Sequence, residues 1–179
     1  MSKRMLALSV GVLVVCGVAI AQVAEAPKPG AEHKAMEYFA GKWQTEGEIK
    51  PSPFGPGGKM TSQDVCELFD GGFQVVCRGR GSGPAGPMSS LGILAYDAAG
   101  KAYTYYGIDN AGTSELSAGN RVGKTWVFTA ISNMAGHAFN SRYIMVESSP
   151  TSYTYKWETS PDGEQWTLIA QGRSTKSGS

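Results

Sequence analysis

Lys59-Met60-Thr61-Ser62-Gln63-Asp64-Val65-Cys66-Glu67-Leu68-Phe69, then Asp70-Gly71-Gly72, then Phe73-Gln74-Val75-Val76-Cys77-Arg78-Gly79-Arg80-Gly81-Ser82 is the stretch from which the fold is read. Two runs with β-branched, aromatic and alternating polar residues flank a glycine pair, which is the signature of a β-hairpin. A turn centred on Gly71-Gly72 sets Cys66 opposite Cys77. It also sets Leu68 opposite Val75, on the same side of the sheet. In an oxidising compartment two cysteines so placed close a disulfide. Closing so short a loop stabilises the fold by about 3 kcal/mol on the chain-entropy estimate. The pair reads as structural, because a redox pair more often stands as Cys-x-x-Cys beside a helix.

The same period-two pattern runs outward in both directions, cut by turn signals. Upstream, Trp43–Ile49 is a strand, followed by a Pro/Gly loop over residues 51–58. Downstream, strands are expected at Met88–Tyr96, Ala102–Ile108, Thr113–Ala118, Thr125–Ile131, His137–Glu147, Tyr153–Thr159 and Gln165–Arg173. With the hairpin, that makes ten strands joined by hairpin-length connections, so neighbours must be antiparallel. An open sheet of this size would leave two unpaired edges and one large exposed face. The expected fold is therefore all-β, an antiparallel up-and-down barrel of about ten strands, with a two-sheet sandwich as the alternative. The composition agrees, since 24 glycines, 9 prolines, 8 tyrosines and 4 tryptophans in 179 residues suit short strands and tight turns.

Ahead of the barrel, Ala35, Met36 and Phe39 give Glu32–Ala40 one apolar side, a short amphipathic helix that Gly41 ends. Residues 22–31 read as a flexible linker. Residues 1–21 carry Lys3 and Arg4, then an apolar run, then Ala19-Ile20-Ala21, the pattern of a cleaved signal peptide. A retained anchor is the alternative. Lipidation at Cys16 would want a small residue where Val15 stands. The domain is thus expected over 32–175, with 176–179 as a disordered tail, in a periplasmic or secreted protein that has no membrane segment after cleavage. The 16 Lys and Arg nearly balance the 15 Asp and Glu, and no basic block remains. No nucleic-acid partner is expected.

Gly41-Lys42-Trp43 opens the first strand just after the helix. Leu91-Gly92-Ile93-Leu94-Ala95-Tyr96-Asp97, then Lys101-Ala102-Tyr103, then Ile108-Asp109-Asn110-Ala111-Gly112-Thr113 follow later. In these stretches the sequence resembles the bacterial family known as domain of unknown function 1579, and more broadly the calycin-type barrels, lipocalins and their relatives. Ala95 departs from the family's tendency to Gly before Tyr-Asp. The resemblance covers about residues 32–175 and implies a lipocalin-like barrel. It implies no activity. In calycins a basic residue on the last strand often stacks over the Gly-x-Trp ring and closes one end, a role that falls to Arg173 over Trp43. Alternation puts Arg173 on the face opposite Trp166, Leu168 and Ala170, so a bulge at Gly172 would have to turn it inward.

Catalytic signatures are scarce. His33 and His137 are far apart and no Cys/His spacing suits zinc, so no metal is expected. No Gly-x-Ser-x-Gly elbow or phosphate-binding glycine loop occurs. Glu46 and Glu48 share one face of the first strand, pointing away from Trp43 into solvent. No cofactor is expected; haem would need His137 as its axial ligand, with Phe139, Tyr143 and Met145 on the same face. What remains is an aromatic interior: Tyr103 with Tyr105, Trp126 with Phe128, Tyr143, and Tyr155 with Trp157. A turn at Asp162-Gly163 sets Trp157 opposite Leu168. Tyr and Trp join apolar faces to polar tips, which suits a small hydrophobic or amphipathic ligand held in the barrel. The expected function is non-catalytic binding. The alternatives are a lyase or isomerase using Tyr hydroxyls or His137, and an interaction module displaying Phe54 or Met88 on the Pro/Gly loops.

Overall fold

The computed structural model describes residues 27–134 and 136–178. The expected signal peptide, Cys16 and the first part of the linker lie outside the described residues. A short helix α1 (Ala31–Met36) runs into a 3-10 turn (Glu37–Phe39). Ten strands follow: β1 (Gly41–Ile49), β2 (Gly58–Leu68), β3 (Gln74–Gly83), β4 (Gly86–Asp97), β5 (Ala102–Asp109), β6 (Ser114–Val122), β7 (Thr125–Met134), β8 (His137–Ser149), β9 (Ser152–Ser160) and β10 (Thr167–Lys176). Each pairs antiparallel with its chain neighbour, and β1 pairs with β10, so the sheet closes as a barrel. The sandwich alternative is excluded.

The founding hairpin takes the register expected of it. Cys66 faces Cys77 and Leu68 faces Val75, and the two cysteines are bonded. Gly71 and Gly72 both hold positive φ, as the turn requires.

The last hairpin departs from expectation. The Ser160 hydroxyl and the Asp162 carboxylate take the backbone N–H groups of Gly163, Glu164 and Gln165, which lengthens the turn. The strand therefore starts at Thr167. Leu168 faces Glu158, a bulge falls between Leu168 and Ala170, and Trp157 faces Ala170 rather than Leu168. Trp166 stays outside, its ring under the Arg142 guanidinium at 4.0 Å. Past the bulge the strand runs regularly to Lys176, beyond the expected end at Arg173.

The two ends of the barrel are built differently. The end where the odd-numbered strands begin is plugged by α1 and the 3-10 turn. Met36, Phe39, Trp43, Tyr103 and Trp126 pack there as one buried cluster. The other, open end carries the loops 50–57, 84–85, 110–113 and 161–166, and no helix among the described residues covers it.

Candidate functional site

The register assigns every inward position. Along β2 these are Met60, Ser62, Asp64 and Cys66; along β3, Cys77, Gly79, Gly81 and Gly83. Tyr103 and Tyr105 of β5, Trp126 and Phe128 of β7, Phe139, Ser141 and Tyr143 of β8, and Tyr153, Tyr155 and Trp157 of β9 also face inward. All seven aromatic residues named from the sequence are thus on the inner face. They divide into two groups. Tyr103, Trp126 and Phe128 are buried in the cluster under the helix, where Trp126 stacks edge-on to Phe39 and Tyr103 at 5.1 and 4.7 Å. Tyr105, Tyr155 and Trp157 lie further toward the open end, and Tyr143, opposite Phe128, packs against the edge of the buried cluster.

Arg173 does not close the barrel. With the bulge at Ile169 rather than Gly172, Arg173 remains on the outer face, where it donates to the Ser152 hydroxyl at 3.3 Å. Lys176 is the residue opposite Trp43, with its ammonium 5.1 Å from the Trp43 ring and 5.7 Å from that of Tyr38. The cation-over-tryptophan contact is kept, three residues further along the strand.

Glycine shapes the open half. Gly47 and Gly172 are paired, and the Tyr155 ring lies in the space their missing side chains leave, its hydroxyl on the Met60 sulfur at 3.4 Å. Gly92 and Gly107 are likewise paired and receive the Tyr105 ring. Over Gly79 converge the Asp64 carboxylate and the Ser90 hydroxyl. Bulky polar side chains therefore lie along the wall instead of bridging the interior. The centre stays accessible: Tyr105, inward by register, keeps 37% of its surface, and Ser90 is exposed. Tyr143 stacks on Tyr155 at 5.6 Å. At the mouth, Phe54 from the 50–57 loop packs on Phe139 at 4.8 Å and on Trp157 at 6.4 Å. Met88 turns in over Gly83. Neither Phe54 nor Met88 forms the outward patch expected of an interaction module.

The residue that sequence reasoning missed is Asp64. Its alternation with Cys66 and Leu68 was legible and puts a carboxylate on the core face. One of its oxygens accepts from the Ser62 hydroxyl at 2.8 Å. Burial pushes its pKa up, with the Ser62 bond opposing. Burial also raises Tyr105, Tyr143 and Tyr153, and carries Tyr155 to about 12; the Asp64 charge adds to all four. These phenols hold their protons at neutral pH and act as donors, not bases. Glu115, also missed, faces inward from β6 and accepts from the hydroxyls of Ser132 and Ser141. His137 is exposed at the rim, opposite Met134. Among the described residues no three His, Cys, Asp or Glu side chains converge as metal ligands would. An open groove of about 1190 Å³ crosses the outer wall, lined by Glu46, Glu48, Lys59, Arg142, Lys156 and Arg173 among others. Its charges are of both signs and face solvent.

A family model described as a protein of unknown function (DUF1579) matches residues 28–176. No curated protein matches the sequence. Among solved structures, Rv2717c from M. tuberculosis superposes with a TM-score of 0.60 at 12% identity, covering 83% of this chain and 99% of that one. The S-type phycobiliprotein lyase CPES from Guillardia theta superposes with a TM-score of 0.55 at 9% identity, covering 83% and 93%. At such identities the likeness is one of fold.

Proposed function

The chain belongs to the DUF1579 family of proteins of unknown function, and we propose that it binds a small amphipathic molecule inside the open half of its barrel, without catalysis. The observation that carries this reading is the pair of lumen hydroxyls on Tyr105 and Tyr143. Among the described residues neither has a hydrogen-bond partner; Tyr143 is not among the buried polar groups left unsatisfied, so its hydroxyl is not sealed from solvent, and Tyr105 keeps 37% of its surface. Aromatic walls with a few unpaired polar tips are what a small-molecule site offers. Trp157, Phe139 and Phe54 supply apolar contact near the mouth. The protein is read as exported, which the Cys66–Cys77 bond supports by requiring an oxidising compartment.

The test is a native mass spectrum of the protein purified from the cells that make it. A reproducible extra mass that leaves on unfolding is the expected result. An apo mass, together with no uptake of neutral or charged alkyl probes, overturns the reading. A lyase or isomerase is the second reading. The observation favouring it is the Asp64 carboxyl, whose pKa burial raises, as happens to acid–base groups in active sites. The phycobiliprotein lyase shows that a barrel of this shape can carry an enzyme's name.

A further inference from the structure

The signs of the lumen charges are one-sided. Among the described residues only two lysine or arginine side chains, Arg121 and Lys176, turn inward along the strands, and both stand at the plugged end; His137 has the inward parity of Phe139 but lies exposed at the opposite rim. Both are engaged. Arg121 pairs with Glu147 at 3.0 Å and lies over Trp126, and Lys176 lies over Trp43. Beyond the plug the inward carboxylates are Asp64, on the strand beside Trp43 and directly opposite it, and Glu115, with Asp109 at the rim capping its own turn through Ala111 and Thr113. Glu115 is served by two serines. Asp64 is served by one hydroxyl, on one oxygen, and no lysine or arginine pairs with it. Its second oxygen and the Ser90 hydroxyl converge over Gly79, where any side chain would displace both. A carboxylate taken partly out of water without a counter-ion is costly, and a cation that reaches it recovers that cost.

We propose that the polar head of the bound molecule is a cation that donates N–H bonds, a primary amine or its equivalent, with Asp64 as its counter-ion and Ser90 and Tyr105 beside it. This rests on the binding reading above and names its ligand class. An anionic head would meet Asp64 and Glu115, while the inward Arg121 and Lys176 are already engaged at the plug. A neutral head would leave the Asp64 charge unpaired. The apolar remainder of the ligand would run toward Phe139 and Trp157.

Dodecylamine, dodecanol and dodecanoate, below their micellar concentrations, separate head charge from chain length. Their binding is followed by tryptophan fluorescence and calorimetry at neutral pH. Expected is the order ammonium, alcohol, carboxylate. Asp64→Asn should weaken the ammonium by about tenfold or more, the scale of one charge-assisted hydrogen bond. The alcohol should bind the variant as well as the native protein, which shows that the lumen survives the substitution. Equal binding of all three heads, or an ammonium affinity untouched by Asp64→Asn, overturns the charge assignment and leaves the binding reading standing. Failure of all three probes overturns both.

Discussion

Under the helix, Trp126 is 0% exposed, its indole N–H donates to Glu147 at 2.7 Å, and Phe39 and Tyr103 close on its ring. Trp43 has the same treatment, with its N–H on the Phe39 carbonyl at 2.7 Å and Tyr153 at 4.9 Å. Further along the lumen, next to this cluster, Tyr105 and Tyr143 hold hydroxyls that nothing among the described residues satisfies. Asp64 sits among them without a cation. Both halves are aromatic, so composition does not distinguish them. The difference is whether each polar tip has a partner. Where the tips are paired, as on Trp43, Trp126 and Tyr103, large rings stabilise the barrel. Where tips are left free, the same ring types present a surface to something else.

The comparison breaks first at Trp126. Trp126→Ala should cost about 3–5 kcal/mol by the usual scale of large-to-small core changes, and it leaves Glu147 with Arg121 alone. Tyr143→Phe should cost under about 1 kcal/mol, because the hydroxyl it deletes makes no hydrogen bond among the described residues. Urea unfolding of both variants measures the ratio. Similar costs would mean that the open half is as much a packed core as the plugged one.

Gly47→Ala tests the wall. A methyl there overlaps the Tyr155 hydroxyl and crowds the Gln171 carbonyl at 2.7 Å, so the ring must leave its seat. The expected loss is about 1–3 kcal/mol, the scale of overpacking. Tyr155→Ala in the same chain should recover part of it. If Gly47→Ala is harmless alone, the glycine pair does not seat the ring.

Much of this was legible in the sequence, and the pattern of failures has a physical cause. Alternation of period two is a local property, so the faces of Tyr103, Tyr143 and Tyr155 followed from parity, as did the Cys66–Cys77 pairing from one tight turn. Parity holds only until a bulge resets it. The bulge falls at Ile169, where the flanking residues are apolar and nothing marks it, whereas Gly172 looked like the natural place. Parity from Ala170 to Arg173 held and left Arg173 outside; it was the resemblance to calycins, with a bulge supposed at Gly172, that gave Arg173 the contact Lys176 makes. Asp64 was missed for another reason. A carboxylate in a strand is ordinarily taken to face water, and its inward face had to be inferred from Cys66 two residues on. Whether the barrel centre is filled depends on where Tyr105 and Tyr155 lay their rings. That is set across strands, by Gly92 with Gly107 and Gly47 with Gly172, which no local pattern couples.

The smallest effect separates two aspartates of the open half by sign. Asp64 has its pKa raised by burial, so its charged form opposes folding. The stability its carboxyl contributes is present in full below the ordinary carboxylate value and is lost as pH rises through the raised one. Asp64→Asn should then be more stable than the native protein at neutral pH, and the gain should vanish on acidification through that window. Asp162 has the opposite shift, lowered by the backbone N–H groups of Glu164 and Gln165 and by the Ser160 hydroxyl. Its contribution is present above the ordinary value and is lost as pH falls through the depressed one. Asp162→Asn should be less stable at neutral pH, and its deficit should close in acid. Thermal unfolding of both variants against the native protein, from neutral pH down to about one unit below the ordinary carboxylate value, reads the two differences directly. If Asp64→Asn is destabilising at neutral pH, the carboxylate has a partner in the folded protein. The contrast between a satisfied end and an unsatisfied one then fails at the residue on which the ligand assignment depends.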